Sequence, residues 1–313
     1  MDSLQLALPS HDSFVAPTPK CTLMTNDPLS ILAFAVQGYE RHGASALVTR
    51  VEIIRGAARS VGAQMAVHPD GSFCGFVSGG CTEIAVAAEA MSAIHVGVDR
   101  FLLGEASRFF DIVLACGGAI KLHIHVIRHP DRLFQAIAAI SSRQIACLAI
   151  DIQAQSLSFL AKPTNTGWSE GTFQRLYPPT SRLTTFGSGI EGQPIASLAS
   201  TAGLDVVALG KSDKLEPEAV DSDTAVVLLP HDLEAELPIL VIALRRDPLY
   251  IGALGSEQTH AKRLTALREL GFSDHETDTI RAPIGLVPKA RDAQTLALSV
   301  LAEIVAVRNQ SGA

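Results

Sequence analysis

Four short segments of this chain carry residues suited to chemistry rather than packing. The first, Ser78-Gly79-Gly80-Cys81-Thr82-Glu83, reads as a turn from a strand into a helix. Free N–H groups and the dipole at a helix N-terminus lower a thiol pKa, so Cys81 is a candidate thiolate or anion-site residue, with Glu83 capping the turn. The second, Cys116-Gly117-Gly118, lies between two predicted strands. A thiol followed by two glycines is sterically open, whereas Cys21, Cys74 and Cys147 read as tail or packing residues. The third, Gly187-Ser188-Gly189-Ile190-Glu191-Gly192, is a complete G-x-G-x-x-G that follows a predicted strand and opens a predicted helix. In that context the glycines let a pyrophosphate approach the backbone. The next strand ends in Leu209-Gly210-Lys211 without the acid that grips a ribose, and Asp213 is the nearest carboxylate beyond it. The fourth, Tyr250-Ile251-Gly252-Ala253-Leu254-Gly255-Ser256, is another glycine-rich turn, and His231-Asp232 projects from the same predicted rim.

Each segment also has a plainer reading: tight turns for the glycines, an exposed loop pair for His231-Asp232. His123, His125 and His129 form a further run. Strand alternation puts His123 and His125 on one face, where a metal would fit. No CxxC accompanies them, so a polar strand face is the more economical reading.

The elements that must position these residues fall into two grammars. Asp27-Pro28 starts a helix that runs through 29–36 and stops near His42-Gly43. A strand is expected at 46–54, then a hairpin of 63–67 and 73–77 around Pro69-Asp70-Gly71. An Ala-rich helix at 82–94 precedes strands at 100–103, 111–115 and 121–127, a helix at 131–140, and strands at 146–150 and 156–160. Residues 164–171 are polar and turn-rich, and Pro178-Pro179 breaks the chain. Beyond it strands at 183–186, 205–209, 224–229 and 250–252 alternate with helices, and helices at 259–270 and 293–308 close the chain. The expected class is α/β: a flexible tail at 1–26, an N-terminal α+β domain at 27–178, and a Rossmann-like parallel-sheet domain at 179–313.

Composition removes several function classes. The 313 residues hold 25 basic and 32 acidic side chains, a formal charge of −7, which is no footprint for nucleic acid. Aromatics make up 5%, too few for a base-stacking platform. Mean hydropathy is +0.26, but no apolar run reaches the roughly 20 residues of a membrane span. Five cysteines and no signal-peptide pattern point to a reduced, cytoplasmic protein.

Taken in order, these segments resemble the XdhC/CoxI family, accessory proteins of molybdenum hydroxylases such as xanthine dehydrogenase. The likeness spans about 27–308. It is carried by Ala46-Leu47-Val48-Thr49, by Gly62-Ala63-Gln64-Met65, by Phe76-Val77 through Glu83, and by Cys116-Gly117-Gly118. It continues with the G-x-G-x-x-G, Gly252-Ala253-Leu254-Gly255-Ser256, Ala282-Pro283-Ile284-Gly285-Leu286 and the run from Ala297 to Ile304. Where the family has Gly-Ser-Ser-Pro-Arg this chain has Arg55-Gly56-Ala57-Ala58-Arg59, keeping only the arginine, and Lys289 stands where the family tends to place glycine. The resemblance implies a chaperone that binds molybdenum cofactor (molybdopterin), protects it during sulfuration by a cysteine desulfurase, and inserts it into a xanthine dehydrogenase-type hydroxylase. It implies cofactor contacts from Arg59, Ser78, Gly79, Gly80, Cys81, Glu83, Cys116, Gly117 and Gly118, with Cys116 facing the metal. In the second half it implies contacts from Gly187, Gly189, Gly192, Gly252, Gly255 and Ser256. NAD(P) or another nucleotide is the candidate for that crevice, and a homo-oligomer is a further expectation. The alternative functions are an NAD(P)-dependent oxidoreductase using the 187–192 crevice and a scaffold that docks the hydroxylase and desulfurase.

Overall fold

The computed structural model describes residues 17–55, 59–80, 82–105, 112–113, 119–160, 165–187, 189–210, 212–230 and 232–311, and the chain forms two compact units that separate after Pro178. The first unit is built on a seven-stranded sheet. Its strands are β1 (Lys20–Leu23), β2 (Ser45–Arg55), β3 (Gln64–Val67), β4 (Ser72–Gly75), β5 (Arg100–Glu105), β6 (Ile112–Val113) and β7 (Ala119–Ile127). Their spatial order is β1-β4-β3-β2-β7-β5-β6. Helices α1 (Pro28–His42), α2 (Glu83–Val96) and α3 (Asp131–Ser141) pack on it, with a four-stranded antiparallel sheet of β8 (Ala146–Asp151), β9 (Ser156–Phe159), β10 (Gly167–Ser169) and β11 (Thr172–Tyr177).

The period of two along β2 sorts the core. Ala46 and Val48 join Met65, Phe73, Leu122 and the inner face of α2. Leu47, pointing the other way, joins Leu32, Leu133, Leu148 and Tyr177 from α1, α3 and the smaller sheet. The carboxylate of Asp27 accepts the Ser30 N–H at 2.9 Å to start α1, and Gly43 at φ 75° ends it. Two expectations need correction. Part of the expected tail, Lys20–Leu23, is a strand paired with β4, and its four side chains are all exposed, so it carries no alternation to read. The turn-rich 164–171 segment contains β10, paired with the unexpected β11 across Glu170-Gly171. Both turn residues have positive φ, 47° and 84°, the geometry that a two-residue hairpin favours.

The second unit is doubly wound. Strands β12 (Arg182–Phe186), β13 (Asp205–Leu209), β14 (Thr224–Leu228), β15 (Tyr250–Ala253) and β16 (Ile280–Arg281) are all parallel, in the order β13-β12-β14-β15-β16. Helices α4 (Gly192–Thr201) and α8 (Ala293–Ser311) supply Ile195 and Val300 to one face. Helices α5 (Leu233–Arg246) and α6 (Glu257–Glu269) supply Leu240 and Leu267 to the other, and α7 (Asp274–Thr277) follows. Numbered from β12, the order is 2-1-3-4-5, a doubly wound order that shares with the Rossmann fold the rule that ligands bind beyond the carboxyl ends of the strands.

Helix α8 pins the turn before it. Glu303 Oε2 accepts from the Tyr250 hydroxyl at 2.6 Å and from Gly285 N–H at 2.8 Å, and Ser299 Oγ accepts from Val287 N–H at 2.7 Å. Burial, then the Glu303 carboxylate, pushes the Tyr250 phenol up, so the hydroxyl stays a donor. Lys289, in the same segment, is held at φ 58°. A left-handed L residue costs roughly 1–2 kcal/mol, and glycine there loses about 0.5–1 kcal/mol of that gain to chain entropy. Lys289→Gly is therefore predicted to stabilise the chain by about 0.5–1 kcal/mol, read as a rise in the denaturant midpoint at constant slope. An unchanged or lower midpoint contradicts the assignment of strain.

Candidate functional site

Strand direction brings three of the sequence-derived segments to one end of the seven-stranded sheet. β2 leaves the sheet at Arg55 toward Arg59, and β3 returns from Gly62-Ala63 into Gln64. β4 runs antiparallel to β3 and exits at the same end, with Gly75 opposite Met65, into 76–82. On the other side of β2, Arg55 is opposite Ala119, the residue that follows Gly118. The strand entered from Cys116-Gly117-Gly118 thus begins at that end too. Cys116, Gly117 and Gly118 themselves, like Cys81, lie outside the described residues.

Two buried charges hold this end together. Arg50, 1% exposed, donates from Nη2 to the Val77 carbonyl and from Nη1 to the Arg59 carbonyl, bridging the β2–β3 and β4–α2 loops. Glu83, 2% exposed, turns its carboxylate back from the start of α2. Its Oε1 accepts the N–H groups of Val77 (3.2 Å) and Ser78 (2.7 Å), and both oxygens accept from the Ser78 hydroxyl, at 2.8 and 2.9 Å. Oε2 also accepts Thr82 N–H at 3.2 Å. Burial by itself would raise the Glu83 pKa, but these donors outweigh it and hold the group below its ordinary value. Glu83, expected among cofactor contacts, thus has its oxygens turned onto the loop that carries Gly79 and Gly80.

The loop it holds is open. Gly79 and Gly80 are exposed, and Gly80, at φ +98°, has nothing within 4 Å of where a Cβ would stand. Thr82 occupies the N-cap of α2 but makes no capping hydrogen bond, and its Oγ1 is buried without a partner among the described residues. The Glu83 carboxylate, folded back on the turn, takes the Thr82 and Glu83 N–H groups in place of the Thr82 hydroxyl. Beside the loop, the Arg59 guanidinium lies 4.1 Å over the Phe76 ring. Both line a cleft of about 160 Å³ with Gly62, Gln64 and Arg175, and the Arg175 Nε is buried without a hydrogen-bond partner among the described residues. Sequence reasoning missed Arg50, Gln64 and Arg175; the two arginines sit in strands, where their spacing carries no motif.

The histidine run is not a surface feature. His123 and His125 share one face of β7, with ring centroids 6.4 Å apart, but both are buried. His125 Nδ1 meets Asp99 Oδ2 at 2.6 Å, and Asp99 also takes Arg128 Nη1 at 3.0 Å. Burial pushes His123 down to about 4, against the pull of Asp99, which leaves it neutral. His129 follows β7, before α3. Burial pushes the Cys74 thiol up to about 11 and raises Cys147, so both are inert packing groups.

In the second unit the G-x-G-x-x-G glycines meet the demands of the fingerprint. Gly187 has φ +101°, with Pro230 only 2.7 Å from a notional Cβ, and a Cβ at Gly192 would stand 3.2 Å from the Gly187 carbonyl. Gly189 is exposed. These turns edge a crevice of about 510 Å³ over the carboxyl ends of β12 and β13, lined also by Gln193, Ser197 and Gly210. Asp213 turns its Oδ2 onto the Gly210 N–H at 2.7 Å. Three expectations change. Gly252 is a buried strand residue that makes room for Tyr250 and Ile284, each within 2.6 Å of a notional Cβ. Ser256 spends its Oγ capping α6 through Thr259 N–H at 3.2 Å, and Asp232 caps α5; His231 lies outside the described residues. Gly255, at φ +139°, does form the turn after β15. A larger hollow of about 820 Å³, lined by Asp247, His275 and Arg281, lies at the amino ends of the strands, away from both glycine turns.

Residues 39–103 match the XdhC and CoxI family, and residues 183–304 match the XdhC Rossmann domain. The chain is 47% identical over 291 residues to the molybdenum cofactor insertion chaperone PaoD of Escherichia coli K12, covering 93% of this chain and 92% of PaoD. The chain belongs to the XdhC and CoxI family. A probable xanthine dehydrogenase component of Bacillus subtilis is 24% identical over 84% of the chain, and the uncharacterized Escherichia coli protein YqeB is 28% identical over 82% of it. A crystal structure of a xanthine dehydrogenase from Bacillus halodurans superposes with a TM-score of 0.71 at 18% identity, covering 91% of this chain and 96% of that one, a likeness of fold. Within this XdhC-type chain, Arg59 and the 78–83 loop fall in the first matched segment and the 187–192 turn in the second; Cys116 falls in neither.

Glu83→Ala is predicted to cost about 1.5–3 kcal/mol at neutral pH, the range for hydrogen bonds to a charged group. A depressed native pKa stabilises above the unfolded value of about 4.3 and is lost as pH falls through the lower native one. The stability gap between wild type and variant should therefore narrow below about pH 4 in denaturant titrations. A gap independent of pH from neutrality to about pH 3 would contradict the assignment.

Proposed function

We propose that this chain is a molybdenum cofactor insertion chaperone for a xanthine dehydrogenase-type hydroxylase. The observation that carries this reading is the 47% identity to PaoD along nearly the whole of both chains. The chemistry of the described residues fits an anionic, phosphate-bearing cofactor. The Arg59 guanidinium over Phe76 and the Arg175 Nε, without a hydrogen-bond partner among the described residues, both favour negative charge in the cleft. The cleft of about 160 Å³ suits a phosphate-sized group rather than the whole cofactor.

In this reading Arg59, Ser78, Gly79, Gly80, Cys81, Cys116, Gly117 and Gly118 hold molybdopterin. Glu83 and Arg50 keep the two loops in position. Molybdopterin is the cargo: when bound it would bring a molybdenum centre to these residues for protection and sulfuration, with a cysteine desulfurase as the partner. The Cys116 thiol, a soft donor, suits that metal. Gly187, Gly189 and Gly192 take the phosphate of a nucleotide in the second unit. An NAD(P)-dependent oxidoreductase has less support from the relatives, although the Asp213 carboxylate, on the Gly210 N–H just past the end of β13, stands where such a site places its acid.

The test is to load the protein with cofactor, add apo-hydroxylase, and measure hydroxylase activity beside a thermal melt. Wild type should activate its client; Cys116→Ser should fold but lose retention or activation. Cys147→Ser should chiefly lower stability, by putting a hydroxyl in an apolar setting. Failure of wild type to retain cofactor would overturn the function, whereas full activation by Cys116→Ser would remove only that thiol from the mechanism.

A further inference from the structure

The geometry points to a divalent transition-metal site of zinc type, formed by His42, His68 and Asp70 where the end of α1 meets the β3–β4 turn. One ligand atom from each of the three residues lies within 4.8 Å of the others, and His42 Nε2 is 3.7 Å from Asp70 Oδ2. A tetrahedral zinc shell with bonds of about 2.0–2.1 Å sets ligand atoms about 3.3 Å apart. The two outer side chains, 31% and 54% exposed, are free to close that difference.

Hydrogen-bond accounting leaves the right atoms available. His68 Nε2 lies 2.7 Å from the Phe34 carbonyl, which can only accept, so Nε2 carries the proton and Nδ1 presents its lone pair. Nδ1 lies 3.2 Å from the Ser72 hydroxyl oxygen, whose proton goes to Asp70 Oδ1 at 2.6 Å. Asp70 Oδ1 also accepts the Ser72 N–H at 2.9 Å, which leaves Oδ2 facing His42. This is the usual outer-shell arrangement of a metal site: one histidine nitrogen tied to a carbonyl, one carboxylate oxygen tied to donors. His42 is the last residue of α1, where the helix dipole favours a cation.

The fold also makes room for the central ligand. His68 is 2% exposed and stacks on Phe34 with ring centroids 3.8 Å apart. Gly38, in the middle of α1, lets the ring in, since a Cβ there would stand 2.3 Å from His68 Cδ2. A mid-helix glycine costs about 0.5–1 kcal/mol relative to alanine, so the helix is weakened where the histidine is accommodated. Two nitrogens and one carboxylate oxygen suit zinc and its first-row neighbours rather than magnesium or calcium, with the remaining position open to water.

Cobalt(II) titration of the metal-free, reduced full-length protein tests the site, with zinc(II) as competitor. The expected result is one equivalent of Co²⁺ giving the visible spectrum of a four-coordinate nitrogen/oxygen site, without a thiolate charge-transfer band, and displaced by Zn²⁺. His42→Ala and Asp70→Asn, at exposed positions, should abolish that spectrum with circular dichroism unchanged, and Ser72→Ala should weaken binding about 10- to 100-fold. No cobalt uptake by wild type, an unchanged spectrum in both ligand variants, or a thiolate band would overturn it.

Discussion

The backbone of Val77 is held on both sides. Its carbonyl accepts from the buried Arg50 and its N–H donates to the buried Glu83. Burying two charged side chains is expensive, and the cost is offset only because each meets fixed backbone partners rather than water. In return the β2–β3 and β4–α2 loops cannot separate without exposing unsatisfied polar groups. Everything else at that sheet end depends on this clamp: the exposure of Gly79 and Gly80, the start of α2, and the position of Arg59 over Phe76. A loop of glycines has no side chains with which to fix itself, so a charged residue on each side does it instead.

The second unit solves the same problem differently. Its fingerprint turn is fixed by close backbone approach, Gly187 against Pro230 and Gly192 against the Gly187 carbonyl, where any Cβ would force the chain apart. Its far end is held by α8, whose Glu303 and Ser299 tie down the turn at 285–287. The family-like run from Ala297 to Ile304 therefore carries two residues whose visible role is to hold a backbone turn. One unit thus orients backbone N–H groups by buried charge, the other by steric exclusion. Both leave a helix N-terminus facing an open space at the end of a sheet.

Much of this is legible in the sequence because alternation and turn chemistry are local. The start of α1 at Asp27-Pro28, its stop at Gly43, the β3–β4 hairpin and the strand–helix alternation beyond Pro179 all come from such signals. What is not legible is set by partners distant in the chain. Tyr177 on β11 donates to Gln64, 113 residues away, and nothing in the β11 sequence announces it. Arg50 reads as one more residue of a β-rich run until Val77 is brought beside it. Gly252 falls in the expected strand at 250–252, but the reason for a glycine there, the room it leaves for Tyr250 and Ile284, is not written in its spacing. The histidines of β7 read as a polar strand face, and the Asp99 carboxylate that engages them lies elsewhere in the sequence.

The clamped loop at the start of α2 is proposed to hold an anionic pterin cofactor. The most direct measurement is to incubate the protein with molybdopterin cofactor, separate it by gel filtration, and read the fluorescence of the oxidised pterin in the protein peak. Wild type and Arg59→Ala would be run side by side, the arginine being exposed and its loss compatible with folding. Pterin should co-elute with wild type and be clearly reduced in Arg59→Ala. Equal pterin in both peaks, or none in either, would contradict it.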